Sequence, residues 1–477
     1  TNYSCFISGR IVPYKMEAFR RSAIHLGPMV GSVGKDHVKI WLRTRWPATF
    51  SVECKDPAGH RFAGEEVTTD EDSDYTSVST IRGLAPGTAY SYAVTVDSVS
   101  YSSEDFNFRT TPEVAEKFSF AFGSCHRPLV CPTYVMGQLY ELCRGEDYPI
   151  RPSFLLMIGD QIYADESGVH GAKWKAATFD EFCESYQKSW GADPSLMKAL
   201  AACPTYMIFD DHEVENAWFK IRRQIGDLRG VSGEQRLGNA LRAYECYQNS
   251  HNPEPISEDL PYTYEFSWGD VRFFIIDARY QRQTRSWHQL LPYRRDILGD
   301  RQFDLLTDWL NRYRDDLKFV VTSVPLSHIA IQLPFLAPFP GLSRFAQVDQ
   351  WPGFAWGRRR LIKFIRENKI GKLVFLAGDV HISHYIEFIP SREGPRFYQF
   401  TCSPIANDTR RARVQRWFLA DHVWGFRKNL RSMSFFEDPC FGLVEVQRDD
   451  NAYGVKYSLV DERGGVFPMS PELKIDC

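Results

Sequence analysis

Two patterns of apolar and polar positions divide the chain near residue 113. In the first part, apolar residues alternate with polar ones, as in the segment HVKIWLRT at 37–44, and such alternation is typical of strands with one buried face. In the second part, short runs that are apolar throughout alternate with longer amphipathic stretches, which is typical of strands buried on both faces with helices between them. The sequence therefore predicts a β-domain at residues 1–112 and an α/β domain at residues 113–477.

The segment LAPGTAYSYAVTVD, Leu84–Asp97, indicates the kind of β-domain. Its Pro-Gly pair predicts a turn, and the strand after the turn places Tyr90 and Tyr92 on one face because side chains alternate along a strand. The segment resembles the corresponding corner of fibronectin type III domains, which are β-sandwiches of the immunoglobulin type. We therefore predict a fibronectin/Ig-like β-sandwich whose last strand lies in FNFRTTP at 106–112.

Apolar runs and helical spacing predict the elements of the second domain. The predicted strands lie at 118–122, 154–158, 206–209, 271–276, 318–323 and 372–377. Apolar residues at helical spacing predict helices over 303–316 and 358–368, and the closing segment at 441–461 predicts two strands around an Asp-Asp-Asn turn. The second domain is therefore predicted to be a mixed α/β (α+β) unit.

Residue types that bind metals follow most of these runs directly. The candidates are Cys125, Asp160, Tyr163, Asp211, His212, Asn216, Asp379 and His381, with Arg279 after the run at 271–276. Residues just beyond the carboxyl ends of sheet strands converge on one crevice, so we expect these side chains to lie close together. All of them except Arg279 are of metal-ligand types, and their number favours a metal site over core packing.

Each fragment alone also has a structural interpretation. Cys125 would then be a small core residue, and the adjacent His126 would be a surface residue. Asp160 would belong to a common Gly-Asp turn, the segment DDHE at 210–213 would cap a helix N-terminus, and His381 would be a core histidine with satisfied hydrogen bonds. The metal-site interpretation rests on the occurrence of the whole set.

Six motifs occur in the order found in one enzyme family. They are GSC, GDQIYAD, FDDHEVEN, IIDARY, TSVPL and AGDVHIS. Together they closely resemble the PhoD family of alkaline phosphatases and phosphodiesterases, a branch of the calcineurin-like metallophosphoesterases, over roughly residues 27 to 460. Relative to the wider superfamily, Asp211 replaces an asparagine and Asp379 replaces a histidine. The resemblance implies a catalytic domain built as a β-sheet sandwich flanked by helices.

The resemblance also implies a centre with one ferric ion and one calcium ion. The iron ligands would be Cys125, Asp160, Tyr163 and His381. The calcium ligands would be Asp160 as a bridge, Asp211, Asn216 and Asp379. Charge supports this assignment, because one thiolate, one phenolate and three carboxylates are balanced by one ferric and one divalent ion. Mn²⁺, Mg²⁺ and Zn²⁺ are the other candidate ions.

This chemistry implies hydrolysis of a phosphoester by a hydroxide that bridges the two metals and attacks phosphorus in line with the leaving oxygen. His212 would donate a proton to the leaving group or bind the phosphate, and Asp160 would hold both metals. Arg279 and Arg127 are candidate phosphate contacts, with plain salt bridges as the alternative. Trp351, in the segment DQWPGFAW, is a candidate wall of the substrate pocket, with a packed loop as the alternative.

Composition limits the kinds of partner. The net charge of −3 and the ordinary content of 43% hydrophobic and 25% charged residues give no indication of a nucleic-acid partner. The basic run at 409–416 is interpreted as a solvated helix face. No segment has the roughly 18 to 20 apolar residues that span a bilayer. We expect a small phosphomonoester or phosphodiester as substrate, and we infer no membrane span and no obligate protein partner.

The 11 cysteines are scattered and include no CxxC pair, which argues against a structural zinc knuckle. Scattered cysteines and the lack of a visible export signal favour a cytoplasmic location. A periplasmic or extracellular location is expected instead if a signal was removed before residue 1.

Two other function classes remain open. A serine-type esterase requires a Gly-x-Ser-x-Gly elbow between a strand and a helix, and GVSGEQ at 230–235 is the nearest approach but lacks the second glycine. A non-enzymatic phosphate- or metal-binding module built on the β-sandwich has to account for candidate ligands that all lie outside that sandwich.

Overall fold

A computed structural model describes most of the chain. The described residues are 22–145, 151–166, 175–218, 230–282, 296–327, 350–389, 394–408, 430–449 and 452–476. The basic run at 409–416, for which the sequence predicts a solvated helix face, lies outside them.

Eight strands near the N-terminus form two facing sheets. The strands are β1 (Ile24–Val33), β2 (His37–Thr44), β3 (Ala48–Lys55), β4 (Arg61–Ala63), β5 (Val67–Thr69), β6 (Thr76–Arg82), β7 (Ala89–Val96) and β8 (Val99–Arg109). One sheet has the order β1-β2-β6, and the other has the order β4-β3-β7-β8 with β5 beside β3. Apolar residues from both sheets share one core cluster. The predicted β-sandwich is therefore confirmed.

The tyrosines of β7 lie on one face, as predicted. Tyr90 and Tyr92 are both buried in the core of the sandwich, and the ring of Tyr90 stacks on Phe108 with the centroids 5.3 Å apart. The hydroxyl of Tyr90 accepts a hydrogen bond from the backbone N–H of Ala85 at 2.8 Å. Such a bond from a strand tyrosine back to the preceding corner is a recurring feature of immunoglobulin-type sandwiches.

Fourteen further strands in the described residues form two larger sheets. They are β9 (Lys117–Gly123), β10 (Leu155–Ile158), β11 (Thr205–Ile208), β12 (Tyr264–Trp268), β13 (Val271–Ile275), β14 (Lys318–Val321), β15 (Leu373–Ala377), β16 (Ser383–Phe388), β17 (Phe397–Thr401), β18 (Leu430–Phe436), β19 (Cys440–Asp449), β20 (Ala452–Asp461), β21 (Val466–Pro468) and β22 (Leu473–Asp476). All six apolar runs of the sequence are therefore confirmed as strands, and so is the closing pair, β19 and β20.

Each of these sheets mixes parallel and antiparallel pairs. The first has the order β11-β10-β9-β19-β20-β21, with β22 also paired to β20, and the second has the order β12-β13-β14-β15-β17-β16-β18. Strands β9, β10 and β11 are parallel, and so are β13, β14, β15 and β17. Because parallel strands point the same way, the segments that follow them emerge at a common edge of each sheet.

The described helices lie along the outer faces of the two sheets. They are α1 (Val135–Arg144), α2 (Phe179–Gly191), α3 (Pro194–Ala202), α4 (Gly233–Tyr244), α5 (Gly299–Arg312) and α6 (Ala355–Glu367). The first four helices share a core with the first sheet, and α5 and α6 share one with the second sheet. Helices α5 and α6 confirm the two predicted helices, although each begins a few residues earlier. No described helix is long and apolar enough to cross a membrane.

The two sheets pack face to face over a largely aromatic core. Phe120 of β9 stacks on Phe154, which directly precedes β10, with the ring centroids 5.0 Å apart. Phe120 also contacts Phe273 and Phe319 of the second sheet edge to face. Every second residue of a buried strand belongs to this core between the sheets, and the residues between them pack against the helices. The arrangement confirms a β-sheet sandwich flanked by helices and places the carboxyl ends of β9, β10, β11 and β15 close together.

Candidate metal centre

The loops that follow the strands turn sharply to reach one site. Cys125, Asp160, Asp379 and His381 all have a left-handed backbone, with φ of 61°, 56°, 69° and 53°. Such conformations are uncommon in residues other than glycine and cluster at functional sites. Gly159, with φ of 109°, precedes one of these turns, and a Cβ there would lie 2.6 Å from the Cβ of Asp210. A glycine at this position therefore lets the ends of β10 and β11 approach closely.

A chain of contacts joins the four residues that the resemblance assigns to iron. The thiol of Cys125 lies 3.3 Å from Oδ2 of Asp160, and the hydroxyl of Tyr163 lies 3.4 Å from the same oxygen. The Tyr163 hydroxyl also lies 3.5 Å from Nε2 of His381. Sulfur, phenol, carboxylate and imidazole groups therefore lie next to one another at the strand ends, and their role as iron ligands stays a prediction.

A cluster of four aspartates adjoins these residues. Asp160, Asp210, Asp211 and Asp379 each offer an oxygen within 4.8 Å of the others. Oδ2 of Asp210 and Oδ1 of Asp211 are buried and have no hydrogen-bond partner among the described residues, although buried carboxylate oxygens are normally paired. Asp210 is absent from the predicted ligand set, although it belongs to the same motif as Asp211.

The electrostatics of this group indicate that positive charge is required. Burial raises the pKa of Asp160 well above its usual range; the charge of His212 opposes this effect, and Asp211 adds to it. Burial and then the charge of Asp160 raise the pKa of Cys125, and burial followed by the charges of Cys125 and Asp160 raises that of Tyr163. Cations stabilise the anionic forms of such groups and occupy unpaired carboxylate oxygens. The residues present therefore fit a two-cation centre.

His212 is held at the edge of this centre by Asp165. Its Nδ1 lies 2.7 Å from Oδ1 of Asp165, and its ring centroid lies 4.1 Å from that of Tyr163. Burial alone would lower the pKa of His212, but the carboxylates of Asp165, Asp160 and Asp211 outweigh burial and raise it well above its usual value. The sequence motif GDQIYAD contains Asp165, but nothing in its spacing indicates a contact with His212.

Asn216 is the most exposed of the predicted ligands. Its backbone N–H donates to Oδ2 of Asp165 at 3.0 Å, and the residue itself is exposed. The loop that carries it is anchored by Asp211, whose Oδ2 accepts the backbone N–H of Ala217 at 2.6 Å. The role of the Asn216 side chain as a calcium ligand therefore stays a prediction.

Arg279 lies behind the carboxylates rather than in front of them. It is fully buried, its Nε donates to the carboxylate of Asp210, and its terminal nitrogen lies 3.5 Å from Oδ2 of Asp211. Ser323 also donates to Asp210, at 2.7 Å. This position corresponds to the alternative, a salt-bridge partner, and a guanidinium without exposed surface offers nothing to a phosphate. The structure places Arg279 as a support for Asp210.

The two predicted substrate contacts differ in position. Arg127 lies at the rim of the site: it donates to Glu166, its guanidinium lies 5.4 Å over the ring of Tyr163, and 18% of its side chain is exposed. Trp351 is fully buried, and its Nε1 lies 3.4 Å from Oγ1 of Thr322 in the core. Trp351 therefore corresponds to the packed-loop alternative and has no surface for a substrate.

His126 is buried, which makes the alternative of a surface residue wrong. It is fully enclosed, and its Nε2 lies 3.2 Å from Oδ2 of Asp193 at the start of α3. Its backbone N–H donates to the carbonyl of Asp160 at 2.8 Å. His126 thereby links the Cys125 loop to the helical layer and to the Asp160 turn.

Two residues that support the centre lie in segments that the sequence singles out, but the sequence does not indicate their contacts. Glu213 accepts the backbone N–H groups of Asp160, Gln161 and Asp210 at 3.1, 2.7 and 2.8 Å. Burial raises the pKa of Glu213 to about 7. From another part of the chain, Gln350 donates to Oδ2 of Asp379 at 2.6 Å. These contacts follow from the tertiary structure, which brings together segments far apart in the sequence.

Comparison with known proteins agrees with this geometry. The sequence model of the family described as PhoD-like phosphatase matches residues 120–457, and a model described as a domain of unknown function (DUF7800) matches residues 21–112. Alkaline phosphatase D of Bacillus subtilis (strain 168) is 27% identical over 209 residues, covering 40% of this chain and 33% of that protein. The alignment thus spans about a third of the length of this curated relative.

A solved structure of PhoD has the same fold as this chain. The two superpose with a TM-score of 0.69 at 17% sequence identity, covering 95% of this chain and 93% of the other. The N-terminal sandwich and the two large sheets therefore share one arrangement with that structure.

Proposed function

Because the chain belongs to the PhoD-like phosphatase family, whose sequence model matches residues 120–457, we propose that it hydrolyses small phosphomonoesters or phosphodiesters at the metal centre. The observation that carries this proposal is the convergence of Cys125, Asp160 and Tyr163 with a second group of carboxylates at the strand ends. The net charge of −3 gives no indication of a stable nucleic-acid partner.

The donor set suggests which residues hold which ion. Cys125, Tyr163 and His381 would hold a ferric ion together with Asp160, since phenolate and thiolate suit a strongly acidic metal. The oxygen donors would hold calcium, or else Mn²⁺, Mg²⁺ or Zn²⁺; they are Asp160, Asp211, Asn216 and Asp379. When bound, the two ions would supply a bridging hydroxide for in-line attack on phosphorus and would neutralise charge on the phosphoryl oxygens.

His212 is the residue best placed to move a proton. Its Nδ1 is engaged by Asp165 at 2.7 Å, so Nε2 is the nitrogen that remains for a leaving oxygen. The carboxylates that raise its pKa, with Asp165 first among them, favour the protonated ring, which a general acid requires. Asp165 fixes the ring orientation, and Arg127 provides a positive charge at the rim.

The serine-esterase alternative loses its nearest candidate. Ser232, in the segment GVSGEQ, is the N-cap of α4, and its hydroxyl accepts the backbone N–H of Gln235 at 3.1 Å. The backbone N–H of Ser232 in turn donates to the side-chain oxygen of Gln235 at 2.9 Å, which completes a capping box. This serine therefore has a structural role at the start of α4.

Turnover of bis-(p-nitrophenyl) phosphate before and after treatment with a chelator tests the proposal. We expect turnover that is lost with the metals and restored when iron and calcium are added back. Asp160→Asn should abolish turnover, while the matched variant Asp270→Asn, whose parent carboxylate pairs with Arg448 far along the sheet, should retain it. Chelator-resistant turnover that a serine reagent blocks would support the esterase. No turnover after metal loading would leave a binding module.

A further inference from the structure

A segment that none of the motifs includes runs along the Cys125 loop. The backbone N–H of Ile405 donates to the carbonyl of Ser124 at 2.9 Å, and that of Ala406 donates to the carbonyl of Cys125 at 3.2 Å. Arg127 returns a bond from its N–H to the carbonyl of Ala406 at 2.6 Å. This pairing places the next residue, Asn407, beside the metal centre.

The side chain of Asn407 contacts two of the predicted iron ligands. Its Nδ2 lies 2.5 Å from the phenol oxygen of Tyr163 and 3.2 Å from Nε2 of His381. Its Oδ1 accepts the backbone N–H of Asp408 at 2.7 Å. Because that N–H can only donate, it requires the amide oxygen on its side, and the amide nitrogen must face the two ligands. Asn407 is 4% exposed, so these contacts are shielded from solvent.

The contact with Tyr163 leaves the phenol oxygen able to bind a cation. An amide nitrogen donates, so the oxygen of Tyr163 must accept, and its own proton is directed to Asp160 at 3.4 Å or is absent. A phenol oxygen has lone pairs for both a hydrogen bond and a cation, whereas the Nε2 atom of a neutral imidazole has only one lone pair. A cation that binds Nε2 of His381 would therefore replace its contact with Asn407, while the contact of Asn407 with Tyr163 would persist.

We propose that Asn407 is a positioning residue of the metal centre, which holds the Tyr163 oxygen in the place where it binds the cation. The proposal rests on the proposed function, because it presumes that Tyr163 is a ligand. Residues that orient metal ligands are commonly needed for affinity, and their loss typically costs about 10- to 100-fold in metal binding. Asn407 has the contacts expected of such a residue.

Two variants separate the donor from the rest of the side chain. Asn407→Leu keeps a similar volume without any hydrogen bond, and Asn407→Asp keeps the acceptor for Asp408 but presents an oxygen to Tyr163 and His381. The matched control is Asn368→Asp, because Asn368 makes a comparable amide contact, to the carbonyl of Phe364 at 3.0 Å, at the end of α6 and outside the centre. If Asn407→Leu does not fold, the measurements on Asn407→Asp alone test the proposal.

Three readouts are taken on purified full-length protein without a substrate: the metal retained against increasing chelator, the rise in Tm on adding iron and calcium, and the visible absorption of the iron-loaded protein. We expect both Asn407 variants to lose metal at a chelator concentration about 10- to 100-fold lower than wild type, with a smaller rise in Tm and a shifted Tyr163-dependent band. Asn368→Asp should match wild type in all three.

The opposite results are equally clear. Wild-type retention, Tm rise and absorption band in both Asn407 variants would overturn the positioning role while leaving the metal centre intact. A wild-type protein that binds no metal at all would instead overturn the proposed function, and this inference with it. A lower Tm of the metal-free variants with normal metal retention would assign Asn407 to folding alone and would also overturn the proposal.

Discussion

Asp165 and His212 form a buried pair at the edge of the metal centre. The carboxylate lies 2.7 Å from Nδ1 of the ring, and 4% and 15% of the two side chains are exposed. The other oxygen of Asp165 accepts the backbone N–H of Asn216 at 3.0 Å. One carboxylate therefore fixes the charge and orientation of the histidine and also anchors the loop that carries a predicted calcium ligand.

The first prediction concerns Asp165→Asn. Burial lowers the pKa of His212, and Asp165 is the largest of the charges that raise it, so removal of that charge should lower the pKa. If His212 acts as the acid, activity is lost as the pH rises through this pKa. We expect the alkaline limb of the kcat profile to move to lower pH and kcat at neutral pH to fall about 10²-fold, measured as a pH–rate profile on metal-loaded enzyme.

A second aspartate–histidine pair gives the control for this prediction. Asp193 lies 3.2 Å from the buried His126 and caps α3, and asparagine also serves as an N-cap. Asp193→Asn should therefore leave the alkaline limb in place. An unmoved limb in Asp165→Asn would remove His212 from the role of general acid.

The second prediction concerns Glu213→Gln. The carboxylate accepts N–H groups from Asp160, Gln161 and Asp210 at 3.1, 2.7 and 2.8 Å and one from Gln248 at 3.1 Å. A glutamine replaces one oxygen by an NH₂ group that cannot accept any of these bonds, whereas even the protonated carboxyl keeps acceptor capacity on both oxygens. We expect the free energy of unfolding of the metal-free protein to fall by about 1–3 kcal/mol at pH 5, measured by urea denaturation.

The loss of unfolding free energy in Glu213→Gln should depend on pH with a definite sign. Burial raises the pKa of Glu213 from 4.5 to about 7, so its contribution to stability is complete below pH 4.5 and is lost as the pH rises through about 7. The glutamine does not titrate, so the difference between the two proteins should shrink from pH 5 to pH 8. The exposed Glu66 supplies the control, Glu66→Gln, with no expected difference. A cost that grows with pH would contradict the raised pKa.

The candidate ligands could be proposed from sequence because most of them follow an apolar run within a few residues. Cys125 follows β9, Asp160 follows β10 and Asp211 follows β11, so local sequence and the geometry of parallel strands together define the site. The pairing of the strands into two facing sheets is not encoded locally, and the pattern alone predicts only an α/β unit. The resemblance to a known family provides the sandwich.

The supporting residues were not predictable because their roles depend on contacts across the fold. Arg279 follows a strand just as the ligands do, yet it points into the interior and pairs with Asp210. Trp351 lies in a segment rich in aromatic residues and glycine, but its side chain is fully buried in the core. Asn407 joins Tyr163, which is 244 residues away in the chain. No local pattern reports such a pairing.

The third prediction concerns the stereochemistry at phosphorus. If water attacks directly, the reaction has one displacement, and phosphorus should invert. Hydrolysis of a chiral thiophosphate ester in isotopically labelled water measures this outcome. Net retention would indicate two displacements and a covalent intermediate. Ser124 and Cys125 would then be the first candidates for the nucleophile, and Ser124→Ala, which removes a hydroxyl 3.4 Å from the Cys125 sulfur, would distinguish between them.

The fourth prediction concerns the colour of the protein. If Cys125 and Tyr163 both bind ferric iron, electrons of the thiolate and the phenolate can be excited into the metal, and the loaded protein should absorb visible light. Calcium and zinc give no such band. Tyr163→Phe removes only the hydroxyl, which contacts Asp160 and Asn407, so it should remove the phenolate part of the band while the protein stays folded.

A variant of Cys125 and a control variant complete the absorption experiment. Cys125→Ala should weaken the remaining absorption and lower iron occupancy at a fixed chelator concentration by roughly tenfold or more, since even residues behind the ligands contribute that much. Tyr186→Phe removes a hydroxyl that is buried in the helical layer and accepts a bond from Gln248, and it should leave the band unchanged. A colourless, fully active wild-type protein that contains two zinc ions would refute iron. It would leave Cys125 as a small buried residue at the end of β9.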